Sequence, residues 1–100
     1  MASEQANAEH AALAALDAAL RQKPKKNGCD FSAATQQLVV LRRGLTARLR
    51  AGEDVAPVLG SVNGILSAVV GAHFPLGEVN WPSVERARDT LAELLFPHET

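Results

Sequence analysis

The segment VAPVLGSVNGILSAVVGAHFPLG, residues 55–77, decides the fold, because it runs for 23 residues without a formal charge between Asp54 and Glu78. Its large apolar side chains recur at intervals of three and four, which predicts a helix. Pro57 fits the first turn of that helix, where no backbone N–H is needed. The segment is long enough to cross a bilayer. Because Pro57, four glycines and several polar residues interrupt it, we expect instead a bundle helix buried on more than one side.

Three more helices accompany this central one. Apolar spacing and the positions of Pro and Gly predict helices over residues 3–23, 30–51, 54–72 and 80–96. Asp30 or Ser32, Asp54 and Asn80 are the expected N-caps of the last three, and Gly52 is the expected C′ residue of the second. Since short loops join helices of similar length, we expect an all-α, up-down antiparallel four-helix bundle. The 100 residues are expected to form a single helical domain, residues 1–100.

The side of the central helix opposite its apolar stripe consists of small residues. A glycine inside a helix costs about 1 kcal/mol relative to alanine, so a run of them needs a compensating interaction. Small residues let a second helix approach closely. We therefore expect Gly64 to lie in a close helix–helix contact, either within the chain or with another molecule. The predicted partner-binding residues are Gly60, Gly64, Ser67, Ala68 and Gly71.

Charge is segregated along the chain although its net charge is only −1. The segment Arg21–Arg50 holds eight basic residues and one acidic residue, a net +7, and the rest of the chain balances it with −8. Such a segment can bind anions or nucleic acid, but Phe31 is its only aromatic residue, which predicts weak binding without sequence preference. The alternative is a solvated face balanced by acids elsewhere. The candidate anion-binding residues are Lys25, Lys26, Arg42, Arg43 and Arg50.

Residues suited to catalysis are sparse. No glycine-rich phosphate-binding motif occurs, and His10, His73 and His98 lie in separate segments without the spacing of metal ligands, so we expect no catalytic residue, metal or cofactor. Cys29 lies beside Lys25 just before a predicted helix, an environment that favours the thiolate. A thiol-dependent enzyme or redox sensor is therefore a third hypothesis. We nonetheless expect Cys29 to be accessible in a polar turn and dispensable for folding.

These observations favour a non-enzymatic interaction module that acts through a protein partner or by homo-oligomerisation, as an adaptor or a small subunit of an assembly. Anion or nucleic-acid binding through Arg21–Arg50 is the alternative. The N-terminus has neither the basic stretch nor the apolar stretch of a secretory signal, so we expect an intracellular, cytoplasmic location. We do not expect binding to a membrane.

Overall fold

Four helices make up the fold: α1 (Ala2–Leu20), α2 (Ser32–Arg50), α3 (Ala56–His73) and α4 (Trp81–Leu95). The computed structural model describes residues 2–26, 28–75 and 77–96, with residues 2–6 as backbone only, and these ranges contain no strand. Each helix packs on its two neighbours in a ring, α1 on α2, α2 on α3, α3 on α4 and α4 on α1. Because short loops make consecutive helices antiparallel, the predicted up-down four-helix bundle is confirmed.

One stripe of each helix faces a shared core. Burying a leucine or valine side chain contributes about 1.5–3 kcal/mol, so these stripes supply most of the stabilisation of the fold. Apolar residues at helical spacing account for the buried stripes of α2, α3 and α4, whereas α1 buries Ala12, Leu16 and Ala19 and leaves Leu13 and Leu20 half-buried. The largest fully buried side chains are Leu16 of α1, Phe31 before α2, Leu38 and Leu41 of α2, Val62 and Val69 of α3, and Val84 and Leu91 of α4.

The end of α2 follows the sequence prediction. Gly52 adopts a φ of +94°, a left-handed conformation that favours glycine. Its N–H donates to the Leu49 carbonyl and the Glu53 N–H donates to the Arg48 carbonyl, both at 3.0 Å, which is the pattern of a Schellman motif. The side chains of Arg48 and Glu53 form an ion pair across the same turn, with Nε and Oε1 3.0 Å apart.

The starts of the helices agree with the sequence only in part. Asn80 caps α4 as predicted, since its Oδ1 accepts the Ser83 N–H at 3.2 Å. The prediction that Asp54 caps α3 is wrong, because Val55 takes the N-cap position and no side chain caps this helix. Val55 is 7% exposed, so at this position burial of an apolar side chain takes precedence over a capping hydrogen bond.

The start of α2 shows the same preference. The buried Phe31 takes the N-cap position, so the prediction of Asp30 or Ser32 as the N-cap is wrong by one residue. The Asp30 carboxylate still accepts hydrogen bonds from the Ser32 hydroxyl and N–H. These bonds, with a smaller electrostatic effect of His73, hold the pKa of Asp30 below its ordinary value. α1 ends at Leu20 rather than at residue 23, because the next three N–H groups bond to carbonyls three residues back in a tighter turn.

The α1–α2 and α3–α4 loops meet at one end of the bundle. The Lys25 carbonyl accepts the indole N–H of Trp81 at 2.9 Å and the thiol of Cys29 at 3.5 Å. Nearby, the Val79 N–H donates to the Lys26 carbonyl at 2.8 Å. These hydrogen bonds tie the two loops together, and we call the group Lys25, Lys26, Cys29, Val79 and Trp81 the loop clasp.

Two side chains fix the backbone just before α2. The Gln22 amide both donates to the Asp30 carbonyl and accepts the Asp30 N–H, each at 2.8 Å. His73, at the end of α3, accepts the Phe31 N–H on its Nδ1 at 3.0 Å. The turn after α1, the residues before α2 and the end of α3 are therefore joined here. The backbone groups of Asp30 and Phe31 that join them would otherwise have no hydrogen-bond partner.

Candidate functional site

The outer side of α3 is exposed, and it carries the five small residues predicted to bind a partner. We call this group the α3 surface: Gly60, Gly64, Ser67, Ala68 and Gly71. Ala68 is half-buried and the other four are exposed. A Cβ atom built on any of the three glycines meets no neighbouring group within 4 Å.

The structure therefore corrects two expectations about α3. Gly64 has no close helix–helix contact within the chain, so the intramolecular alternative is wrong. Burial of α3 on more than one side is also wrong, since its buried residues form one stripe. The reason is the ring arrangement, in which α3 packs beside α2 and α4, the alanine-rich α1 lies diagonal to it across the core, and the side of α3 away from the core faces outward.

Two large apolar side chains extend the exposed area beside the α3 surface. Val70 is 38% exposed, and Phe74 just after α3 is 73% exposed. By contrast, the exposed sides of α2 and α4 carry charges, among them Arg43 and Glu93. By length and composition alone, α3 could also cross a bilayer, with a mean hydropathy of 1.3 over 18 residues, of which 28% are buried inside the bundle. A charge-free exposed side of this kind is typical of an interaction surface.

A groove runs between α3 and α4 alongside the α3 surface. It consists of two open depressions of about 270 and 480 Å³ that share Ala68 and Ser83 in their lining. Gly64 and Arg86 line the smaller one and Gly71 lines the larger one. Small and hydroxyl-bearing side chains predominate on both helices of this groove.

The predicted anion-binding residues are spread along the whole length of α2. Lys25 and Lys26 precede the helix, Arg42 and Arg43 lie near its middle, and Arg50 is its last residue. A helix of this length spans about 27 Å, so the two lysines and Arg50 lie at opposite ends of the bundle. The five residues therefore do not form one continuous site.

Acidic residues neutralise part of the basic segment. The ion pairs are Lys23–Glu85 at 2.8 Å, Lys26–Glu78 at 3.7 Å and Arg48–Glu53 at 3.0 Å. Within the described ranges, no carboxylate lies within 4.0 Å of the side chains of Arg42, Arg43 or Arg50. Arg21 and Lys25 are also exposed and form no ion pair within the described ranges, so these two residues and the three arginines are the part of the segment that is available to an external anion.

Cys29 is buried, so the prediction that it is accessible is wrong. It is 7% exposed, and its thiol points to the Lys25 carbonyl. The loop clasp explains this position, because the hydrogen bond from Trp81 to Lys25 draws the loop over the core. Its hydrogen-bond partner is a backbone carbonyl rather than a basic side chain, so this arrangement does not resemble that of an activated nucleophile.

Candidate metal ligands are also dispersed. Among the residues that the structure describes, no group of three or more His, Cys, Asp or Glu side chains could hold a metal ion. His73 bonds to the Phe31 N–H, and the ring of His10 lies against Phe96 with centroids 4.9 Å apart. His98 lies outside the described residues.

Comparison of the chain with models of protein families, with curated proteins and with solved structures finds no match. The fold and the surface thus define the class of protein: an all-α four-helix bundle whose third helix exposes an uncharged, glycine-rich side.

Proposed function

We propose that this chain is a non-enzymatic interaction module, an adaptor or a small subunit of an assembly, and that the α3 surface binds its protein partner. The observation that carries the proposal is the exposure of three helical glycines with nothing within 4 Å of their Cβ positions. Each glycine costs about 1 kcal/mol relative to alanine, and no contact within the chain offsets that cost. Close approach of a helix from another molecule would offset it.

The composition of the surface supports a protein partner. The cores of protein interfaces are depleted in charged residues, and α3 has none between Ala56 and His73. Val70 and Phe74 add exposed apolar area at one end of the surface. A role of α3 as a membrane span would remove Val62 and Val69, both 0% exposed, from the core of the bundle. We therefore favour docking on the outer side of α3 with the bundle intact.

Site-specific photo-crosslinking in cells tests this proposal. A photo-reactive amino acid replaces Ser67 on the α3 surface, and in a matched variant it replaces Ala14, which is exposed on α1, the helix diagonal to α3. We expect a discrete protein adduct from position 67 and none from position 14. No adduct at position 67, or equal adducts at both positions, would contradict the proposal.

A second candidate function, anion binding, is favoured by the three arginines of α2 that lack an intramolecular ion pair. Arg43 and Arg50 are seven residues apart and project from the same side of α2. Binding through them should be weak and should fall steeply with salt. Titration of labelled single-stranded and duplex oligonucleotides at low and physiological salt, with Arg43→Glu as the variant, tests this function. Tight, sequence-selective binding that Arg43→Glu leaves unchanged would contradict it.

A further inference from the structure

Two opposite charges on α4 lie on the same side of the bundle as the α3 surface. Arg86 and Glu93 are seven residues apart, so they project from one side of α4. Arg86 lines the groove with Gly64. Both residues are exposed, and neither forms an ion pair among the residues that the structure describes. The side of the molecule that includes the α3 surface thus carries one unpaired charge of each sign.

The two charges and the two central glycines are centred at the same level of the bundle. On α3 the smaller depression is lined from Ser61 to Ala68, and on α4 from Ser83 to Thr90. Because the two helices are antiparallel, the two ends of this lining correspond, which sets Ala68 at about the level of Ser83 and Ser61 at about the level of Thr90. The midpoint of positions 86 and 93 therefore falls level with positions 61–62. The midpoint of positions 60 and 64 is position 62, so the two midpoints lie within about one helical turn of each other.

We propose that the partner of the α3 surface is a second copy of this chain, docked across a two-fold axis that lies in the interface, perpendicular to α3 and at the level of residue 62. This inference rests on the proposed function of the α3 surface. The axis makes the two α3 helices antiparallel and sets Gly60 of each copy opposite Gly64 of the other. The same rotation sets Arg86 of each copy opposite Glu93 of the other. An isologous interface requires such self-complementarity, in which every contact occurs twice.

The size of the contact predicts a reversible dimer. About this axis the two α3 helices overlap over residues 56–68, a length of about 18 Å. Including α4, the contact is about 20 Å wide. This footprint is smaller than the roughly 800 Å² per partner that is typical of stable complexes. We therefore expect half-dissociation at about 10 µM to 1 mM rather than in the nanomolar range.

Charge-exchange variants test the arrangement by sedimentation velocity between about 10 µM and 1 mM protein. Arg86→Glu and Glu93→Arg each turn both pairs of opposite charges into pairs of like charges, so each variant should raise the dissociation constant about tenfold or more. An equimolar mixture of the two variants restores both pairs within a mixed dimer, and so does the double variant. Arg43→Glu is the matched control, since it reverses an exposed, unpaired arginine on α2 and should leave the dimer unchanged.

We expect the wild-type chain to form a dimer and each single variant to dimerise more weakly. The mixture of the two variants and the double variant should both dimerise as the wild-type chain does. Circular dichroism at low concentration checks that the single variants remain folded. A chain that stays at 10.6 kDa up to 1 mM, or a dimer that is insensitive to positions 86 and 93, would overturn the proposal. Adducts from position 67 that contain other proteins but never a second copy would overturn this inference and leave the proposed function standing. Absence of any adduct at position 67 would overturn both.

Discussion

Replacing the helical glycines of α3 by alanine should stabilise the isolated chain. The substitutions are Gly60→Ala, Gly64→Ala and Gly71→Ala, singly and together. At each position the backbone is helical and the new methyl group meets no neighbour within 4 Å. Each substitution therefore gains the helix propensity of alanine without overpacking. Had these glycines been in close intramolecular contact, the same changes would destabilise the chain.

The magnitude follows from helix propensity. Each substitution should raise the free energy of unfolding by about 0.5–1 kcal/mol. Since a methyl group at each site meets no neighbour within 4 Å, the effects should add, and the triple variant should gain about 1.5–3 kcal/mol. For a domain of 100 residues, 1 kcal/mol corresponds to a rise in melting temperature of about 4–8 °C. The triple variant should therefore melt about 6–24 °C above the wild-type chain.

Chemical denaturation at low micromolar protein, where self-association is negligible, measures the effect. The midpoint should rise while the slope with denaturant stays constant. Gly52→Ala is the matched control: its methyl group also meets open space, but its φ of +94° disfavours alanine, so this variant should lose about 1 kcal/mol. An unchanged or lowered midpoint for Gly64→Ala would refute the conclusion that the α3 surface is free in the monomer.

Three further predictions concern the loop end of the bundle. Trp81→Phe should lower the free energy of unfolding by about 1 kcal/mol in urea denaturation, because the Lys25 carbonyl loses its indole donor; an unchanged midpoint would contradict the importance of that bond. Because the pKa of Asp30 is lowered in the folded chain, its stabilising effect is present above its ordinary value of 3.8 and lost as the pH falls below it. Asp30→Ala should therefore lower the melting temperature at pH 7 but not at pH 2, and an equal difference at both would refute the assignment. Cys29 should react slowly with a thiol reagent until the chain unfolds, since it is 7% exposed, and rapid labelling of the folded protein would show that the loop clasp is open.

The helical class and the core stripes were predictable from the sequence because they depend on local periodicity. Leu38 and Leu41 of α2 and Val62 and Val69 of α3 recur at helical spacing, and all four are 0% exposed. Helix ends were predictable where a single residue type meets a strict backbone requirement, as Gly52 does. The predicted helix ends were wrong where burial of an apolar side chain competed with side-chain capping, as at Val55. The gain from burial depends on residues that are distant in the sequence, and a local pattern does not include them.

The sequence determined by itself that the uncharged segment 55–77 contains a helix of an all-α bundle, since hydrophobic spacing and the absence of charge are properties of the chain alone. Only the tertiary structure decided which side of that helix meets the core. The small residues could equally have packed against α1, but the ring of four helices sets α1 diagonal to α3 and leaves Gly60, Gly64 and Gly71 facing outward. The tertiary structure likewise buried Cys29 and brought Arg86 level with Gly64, because both depend on how distant segments pack together.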